Sequence, residues 1–302
     1  MSLDRKPFVL RDLLSESGRP WTVAFTLLCA IFLAHVFFSK HELGLLENWY
    51  LDNLRHFRCA QEFLSRGFGI YGTPMSEFER FGDHRAYIWP QVGYLYPPGA
   101  LLFFGPFSCL YYGFGLSISL VSKLSLCLIV VVWHLVCLIP LVSRRVTTSL
   151  GYCFLAIFYI QGLFWSLNGQ YEALPMLFIV LAAAHSGQDP YCVQKYLSLA
   201  IFSKFQALLF LPIFLKCVAQ SIAKDGLAVY CKRLFLSWWF WTIPVSAVCL
   251  FLCKSYLTPS NANSISWGLL PTGDFKPWVC LSIALFFTTL SLAKGRYFLA
   301  AV

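Results

Sequence analysis

Residues Leu116–Ser143, "LSISLVSKLSLCLIVVVWHLVCLIPLVS", carry a single formal charge, Lys123, and run directly into the pair Arg144–Arg145. As a helix, a run of about 20 apolar residues crosses a hydrocarbon core of roughly 30 Å, and this one is long enough to do so. Similar runs recur at Trp21–Ser39, Thr148–Trp165, Ala173–His185, Leu197–Lys216, Leu234–Cys253 and Trp278–Ala293. Ala173–His185 is short and needs tilting, a broken helix or bilayer thinning. The chain is 58% hydrophobic and 12% charged, a poor match to a soluble globular domain. These runs predict an all-α polytopic membrane protein with about eight transmembrane helices. The first run is expected to stay as a transmembrane helix, not to act as a cleaved leader, because a polar segment precedes it and no small-residue cleavage motif follows.

The net charge of +9 does not point to nucleic acid. Arg5, Lys6, Arg11 and Arg19 precede the first span. Arg144, Arg145, Lys216, Lys224, Lys232, Arg233, Lys294 and Arg296 cluster at later span ends. That is the positive-inside pattern. The twelve cysteines contain no C-x-x-C pair, and many lie in apolar runs. Buried cysteines behave there as small hydrophobes.

The basic clusters order the chain as one transmembrane domain over 1–302. A cytoplasmic tail (1–20) leads into the first span, and an outer loop with juxtamembrane helices (40–115) into a helical bundle (116–302). Gly99–Gly113 is expected to lie as a short helix at the outer interface, because a full span there would put Arg144–Arg145 on the wrong face. The polar turn Asn168, Gln170, Glu172 then falls outside. The run through Lys204, Gln206 and Pro212 reads as two short helices meeting on that same outer side. The final "YFLAAV" reads as the first turn of another span, which leaves open that the chain is truncated there.

Several polar groups stand out against this apolar background. In "LGLLENWYLDNLRHFRCAQEFLSRG" (43–67), Leu46, Tyr50, Phe57, Ala60 and Leu64 recur at helical spacing, predicting an amphipathic helix in the interface plane. Asp52 lies beside that stripe, with Arg55 at i+3 and His56 at i+4. It is either an exposed acid in a surface ion pair or a general base at the bilayer surface. Glu47 and Glu62 on the same helix are expected to tolerate amide substitution. Lys204 is a charge within an apolar run, which is costly unless paired or solvated. It either snorkels, pairs with Glu172, or holds an anion such as a phosphate. Gln170 and Glu172 either cap the hairpin or contact a sugar or phosphate. Tyr94, Tyr96, Pro97 and Pro98 form a rigid aromatic corner, and Lys123 reads as structural. No phosphate-binding loop, dinucleotide fingerprint, G-x-S-x-G or His metal cluster is present.

Taken together, "YLYPPGALLFFGPF", "NGQYEALPMLF" and "SKFQALLFLPIFL", placed after a first span and a long outer loop with an early acid, resemble the GT-C glycosyltransferases. Within these they look most like the polyprenyl-phosphate-mannose-dependent alpha-mannosyltransferases. The resemblance runs from about Trp21 to Lys216. It implies a GT-C-like bundle that moves a sugar, expected to be mannose, from a polyprenyl-phosphate donor to a lipid-linked or glycan acceptor on the outer or lumenal face. Asp52 would be the catalytic base. Lys204, with Arg55 or His56, would stabilise the leaving phosphate. Gln170 and Glu172 would hold sugar hydroxyls, with Tyr96, Asn168 and Gln206 completing the substrate site. No cofactor is implied, and the first loop has "YLDNL" in place of the D-x-D that would favour a divalent metal. The partners implied are the donor, the acceptor and membrane lipids, in a bacterial plasma membrane or endoplasmic reticulum. Two rival readings fit the same residues: a transporter of lipids or lipid-linked sugars, and a non-catalytic subunit of a glycosyltransferase complex.

The topology is open to direct test. A cysteine introduced at Asp274 or within Ser76–Asp83 should react with an impermeant thiol reagent from outside, and one at Asp225 should not. Labelling of both from one side overturns the arrangement.

Overall fold

The computed structural model describes residues 19–38, 45–71, 73, 96–142, 149–167, 171–186 and 189–252. The expected span Trp278–Ala293, the loop 254–277 and the final "YFLAAV" lie outside the described residues, as do Asn168 and Gln170. The described residues form helices, with no strand among them. They are α1 (Arg19–Phe38), α2 (Leu45–Arg66), α3 (Pro98–Ser108), α4 (Ile118–Val142) and α5 (Ser149–Leu167), then α6 (Ala173–His185), α7 (Pro190–Ser203), α8 (Leu211–Asp225), α9 (Leu227–Phe235) and α10 (Thr242–Leu252).

Among the described residues, three helices are long and apolar enough to cross a membrane: Pro20–Phe38, Ile118–Leu141 and Ala207–Asp225. A fourth candidate is the bent pair Leu227–Phe235 and Trp238–Leu252, and two shorter apolar helices cover Gly151–Leu163 and Ala173–His185. Their outward faces are apolar. On α1, Val23, Leu27 and Ile31 are exposed at i, i+4 and i+8, and Phe154 and Ile157 are exposed on α5. Apolar surface this continuous marks a membrane-facing exterior.

Two of the apolar runs do not continue as single helices. The run Leu197–Lys216 is interrupted at Lys204, which adopts an extended conformation (φ −155°, ψ 130°) between α7 and a tight turn, Phe205–Phe210. This agrees with the expected pair of short helices. The run Leu234–Cys253 starts later than its hydropathy, because Leu234 and Phe235 belong to α9 and the chain bends 80° before Trp238.

α4 sits at the centre, packed against α1, α5 and α6, while α7 packs on α6 and α8. The α4–α5 contact is close because Gly162 has no side chain: a Cβ there would lie 1.6 Å from the Trp133 ring. Trp133 in turn donates its indole N–H to the Tyr159 carbonyl at 3.2 Å. Lys123 proves structural, its Nζ donating to the Phe37 carbonyl at 3.2 Å and so capping the C-terminal end of α1.

Gly162→Ala should therefore force Trp133 out of its site and cost about 1–3 kcal/mol, read as a lowered thermal midpoint in detergent. Adding Trp133→Phe should recover part of that loss. An unchanged midpoint for Gly162→Ala would mean that this packing is wrong.

Candidate functional site

The site begins with the middle of α2. Phe57 and Ala60 are buried, as their helical spacing predicts, but Leu64 is 73% exposed. The chain turns at Gly67 (φ 52°) and buries Ile70 and Tyr71 in its place. Moreover, Arg55 through Ala60 are all buried. This part of α2 is enclosed on every side, not merely floated on one apolar face, because α3 and α4 pack over it. Its cations find polar partners inside. Arg58 pairs with Glu62 at 2.6 Å, and Glu62 also accepts from Arg66 at 2.9 Å. Glu62 is thus the counter-ion of a buried arginine, and the expectation that it tolerates an amide is withdrawn.

Arg55 points to the aromatic corner. Its Nη2 donates to the Tyr96 hydroxyl at 2.9 Å, and its guanidinium lies 5.2 Å from that ring. Tyr96 is held there by Pro97, the extended residue (ψ 163°) that opens α3. The first turn of α3 then runs against the end of α7. A Cβ on Gly99 would lie 2.5 Å from the Phe202 carbonyl oxygen, so only glycine permits this approach. Sequence reading passed over Gly99, whose place after the two prolines was the available signal.

His56 sits among rings. It stacks on Phe104 at 4.3 Å and meets the edges of Tyr96 at 4.8 Å and Tyr171 at 5.6 Å. Burial holds its pKa well below the ordinary histidine value, and the charges of Arg55 and Lys204 add to that shift. His56 is therefore neutral at pH 7 and contributes no positive charge.

The remaining groups come from the α6 and α7 ends. Lys204, 5% exposed, forms an ion pair with Glu172 and lies 5.2 Å from the centre of the Tyr171 ring. The Tyr171 hydroxyl donates to the Ser203 carbonyl at 3.2 Å, tying the start of α6 to the end of α7. Glu172 spends one carboxylate oxygen on Lys204. The other, Oε2, is buried and has no hydrogen-bond partner among the described residues.

Arg55, His56, Tyr96, Tyr171, Glu172 and Lys204 thus meet from four separate segments. Tyr171 is the member the sequence reading missed, and its place beside Glu172 in the polar turn was the only hint. Asp52 lies on α2 one turn before Arg55 and His56, and Gln206 opens the turn after Lys204; the side chains of both lie outside the described residues. Among the described residues, no three His, Cys, Asp or Glu side chains gather into a metal site. No protein-family model, curated protein or solved structure matches the chain.

The burial of His56 makes stability depend on pH. The unfolded chain takes up a proton near pH 6.5, and the folded chain resists it because its pKa is depressed. This contribution is fully present above pH 6.5 and is lost as pH falls below it, by up to about 1.4 kcal/mol per pH unit. Thermal midpoints at pH 7.5 and 5.5 should diverge less in His56→Phe than in the parent. Identical pH sensitivity in the two would place His56 in water.

Proposed function

We propose that this chain is an integral-membrane glycosyltransferase of the GT-C kind, moving a sugar from a polyprenyl-phosphate donor to a lipid-linked or glycan acceptor by inverting displacement. The observation that carries this reading is the meeting of Arg55, Tyr96, Glu172 and Lys204 from four segments of an otherwise apolar, helical chain. Two fixed cations beside a carboxylate with a spare buried oxygen suit a phosphate next to a sugar. The eight-span bundle and the outward-facing site belong to the same proposal.

In this mechanism the acceptor oxygen forms a bond to the anomeric carbon while the bond from that carbon to the phosphate oxygen breaks. The electron pair leaves with the polyprenyl phosphate, and the acceptor proton passes to Asp52. Charge grows on the departing phosphate, and Lys204 and Arg55 are the groups able to stabilise it. The choice between Arg55 and His56 falls on Arg55, because a neutral imidazole offers no such charge. Lys204 would share itself between Glu172 and the phosphate. Glu172 Oε2 would accept from a sugar hydroxyl, a hydrogen bond it lacks among the described residues.

The decisive measurement is turnover in lipid with radiolabelled polyprenyl-phosphate sugars. Asp52→Asn should still bind donor yet lose about a hundred- to ten-thousand-fold in rate, with Glu47→Gln as the control. Lys204→Met should weaken donor binding, and Lys204→Arg should retain part of it. Full activity in Asp52→Asn removes that residue as the base. Transbilayer movement of the lipid-linked sugar without any product would favour a transporter.

A further inference from the structure

Beyond α8 the chain takes two corners. Ala207–Asp225 is long and apolar enough to cross a bilayer, and Trp238–Leu252 resumes as an apolar helix. Between their neighbouring ends lies α9, bent 80° from the helix that follows. Gly226 makes the first corner with φ 80°, a conformation that favours glycine. Ser237 makes the second, its hydroxyl donating to the Arg233 carbonyl at 2.8 Å and its amide to the Leu234 carbonyl at 3.0 Å. Tyr191 on α7 braces this elbow. Its hydroxyl also donates to the Arg233 carbonyl, at 3.0 Å, and the Arg233 guanidinium lies 4.0 Å from its ring centre. Where Trp238–Leu252 runs along the bilayer normal, its 80° bend from α9 lays α9 about 10° from the membrane plane.

One side of α9 faces the protein. Tyr230 is buried there and donates to Gln194 Oε1 at 2.6 Å. The exposed residues of α9 mix apolar side chains (Leu227, Val229 and Phe235, followed by Leu236, Trp238 and Trp241) with the cations Lys232 and Arg233. Phe235, Phe240 and Trp241 pack ring against ring on the outside of the elbow. The helices on either side also expose apolar side chains, Leu211 and Leu215 on α8 and Val248 and Phe251 on α10, so α9 joins two elements with lipid-facing surfaces. Lys224, at the end of α8, and Lys232, on α9, are both exposed. Asp225, the acid beside them, is occupied by Arg233 at 3.5 Å.

We infer that α9 is an interfacial helix that seats its aromatic elbow at the acyl boundary and binds anionic phospholipid headgroups through Lys224 and Lys232. Tryptophan prefers that depth, and each lysine near an anionic surface gives about a fivefold local enrichment. The occupant is the bilayer itself, independent of any catalytic role for the chain.

The test uses the full chain in phosphatidylcholine nanodiscs in which about one lipid in twenty is dibrominated, either phosphatidylglycerol or phosphatidylcholine. Bromine quenches tryptophan on contact, and the share of quenching lost in Trp238→Phe/Trp241→Phe isolates the elbow. Brominated phosphatidylglycerol should quench that share several-fold more than brominated phosphatidylcholine. Lys224→Gln/Lys232→Gln should remove the preference while keeping the contact with phosphatidylcholine. Equal quenching of the parent and the tryptophan double variant overturns the lipid placement and leaves the face to a protein partner. Equal quenching by the two lipids in the parent overturns headgroup binding.

Discussion

A lysine ammonium in an apolar interior must have a counter-charge, and much of this structure is arranged around meeting that need at Lys204. The residue interrupts a helix that hydropathy would have continued, and its extended backbone turns the ammonium toward Glu172. Glu172 stands immediately before α6, so the ion pair fixes where α6 begins relative to the end of α7. Tyr171 repeats the tie one residue earlier through the Ser203 carbonyl. Gly99 then lets α3 close against the same point. Three helix ends therefore share one small volume, and the polar chemistry of the protein collects where they meet.

Aromatic rings give that volume its walls. Tyr96, Phe104 and Tyr171 surround His56 on three sides, and the tyrosine faces also lie near the two cations. Ring faces attract cations, which offsets part of the cost of burying Arg55 and Lys204. Burial and those two charges oppose a third positive charge, which is why His56 stays neutral. Of the two side chains that follow Asp52 on α2, the buried imidazole is held neutral while the buried guanidinium keeps a tyrosine partner.

What could be read from the sequence follows from how local each signal is. The ends of α4, α5 and α6 are marked by apolar runs bounded by charge or by a polar turn, and they lie within a few residues of those expected. The break at Lys204 was legible because a lone charge and a following proline both oppose a continuous helix. The enclosure of α2 was not legible. Its apolar spacing is that of a one-faced helix, and only its packing under α3 and α4 reveals that Arg55 and Arg58 are interior. Tyr171 and Gly99 escaped for a related reason: each matters through one contact with the end of α7, which has no periodicity to display. The 80° elbow was masked because Leu234 and Phe235 are as apolar as the helix that follows. The convergence of Glu172 and Lys204 was anticipated as an ion pair or an anion site, and the structure has the pair.

The cap that Lys123 places on α1 also bears on how the protein is made. α1 is the first of the described helices to leave the ribosome, yet its terminal carbonyl at Phe37 is satisfied by a lysine 86 residues later. The Phe25 carbonyl within it accepts from Tyr159, 134 residues later. Until α4 and α5 have been synthesised, α1 has neither partner. Its final seating is therefore a late event in biogenesis, and the helix must wait in the bilayer or beside the insertion machinery for the helices that complete it.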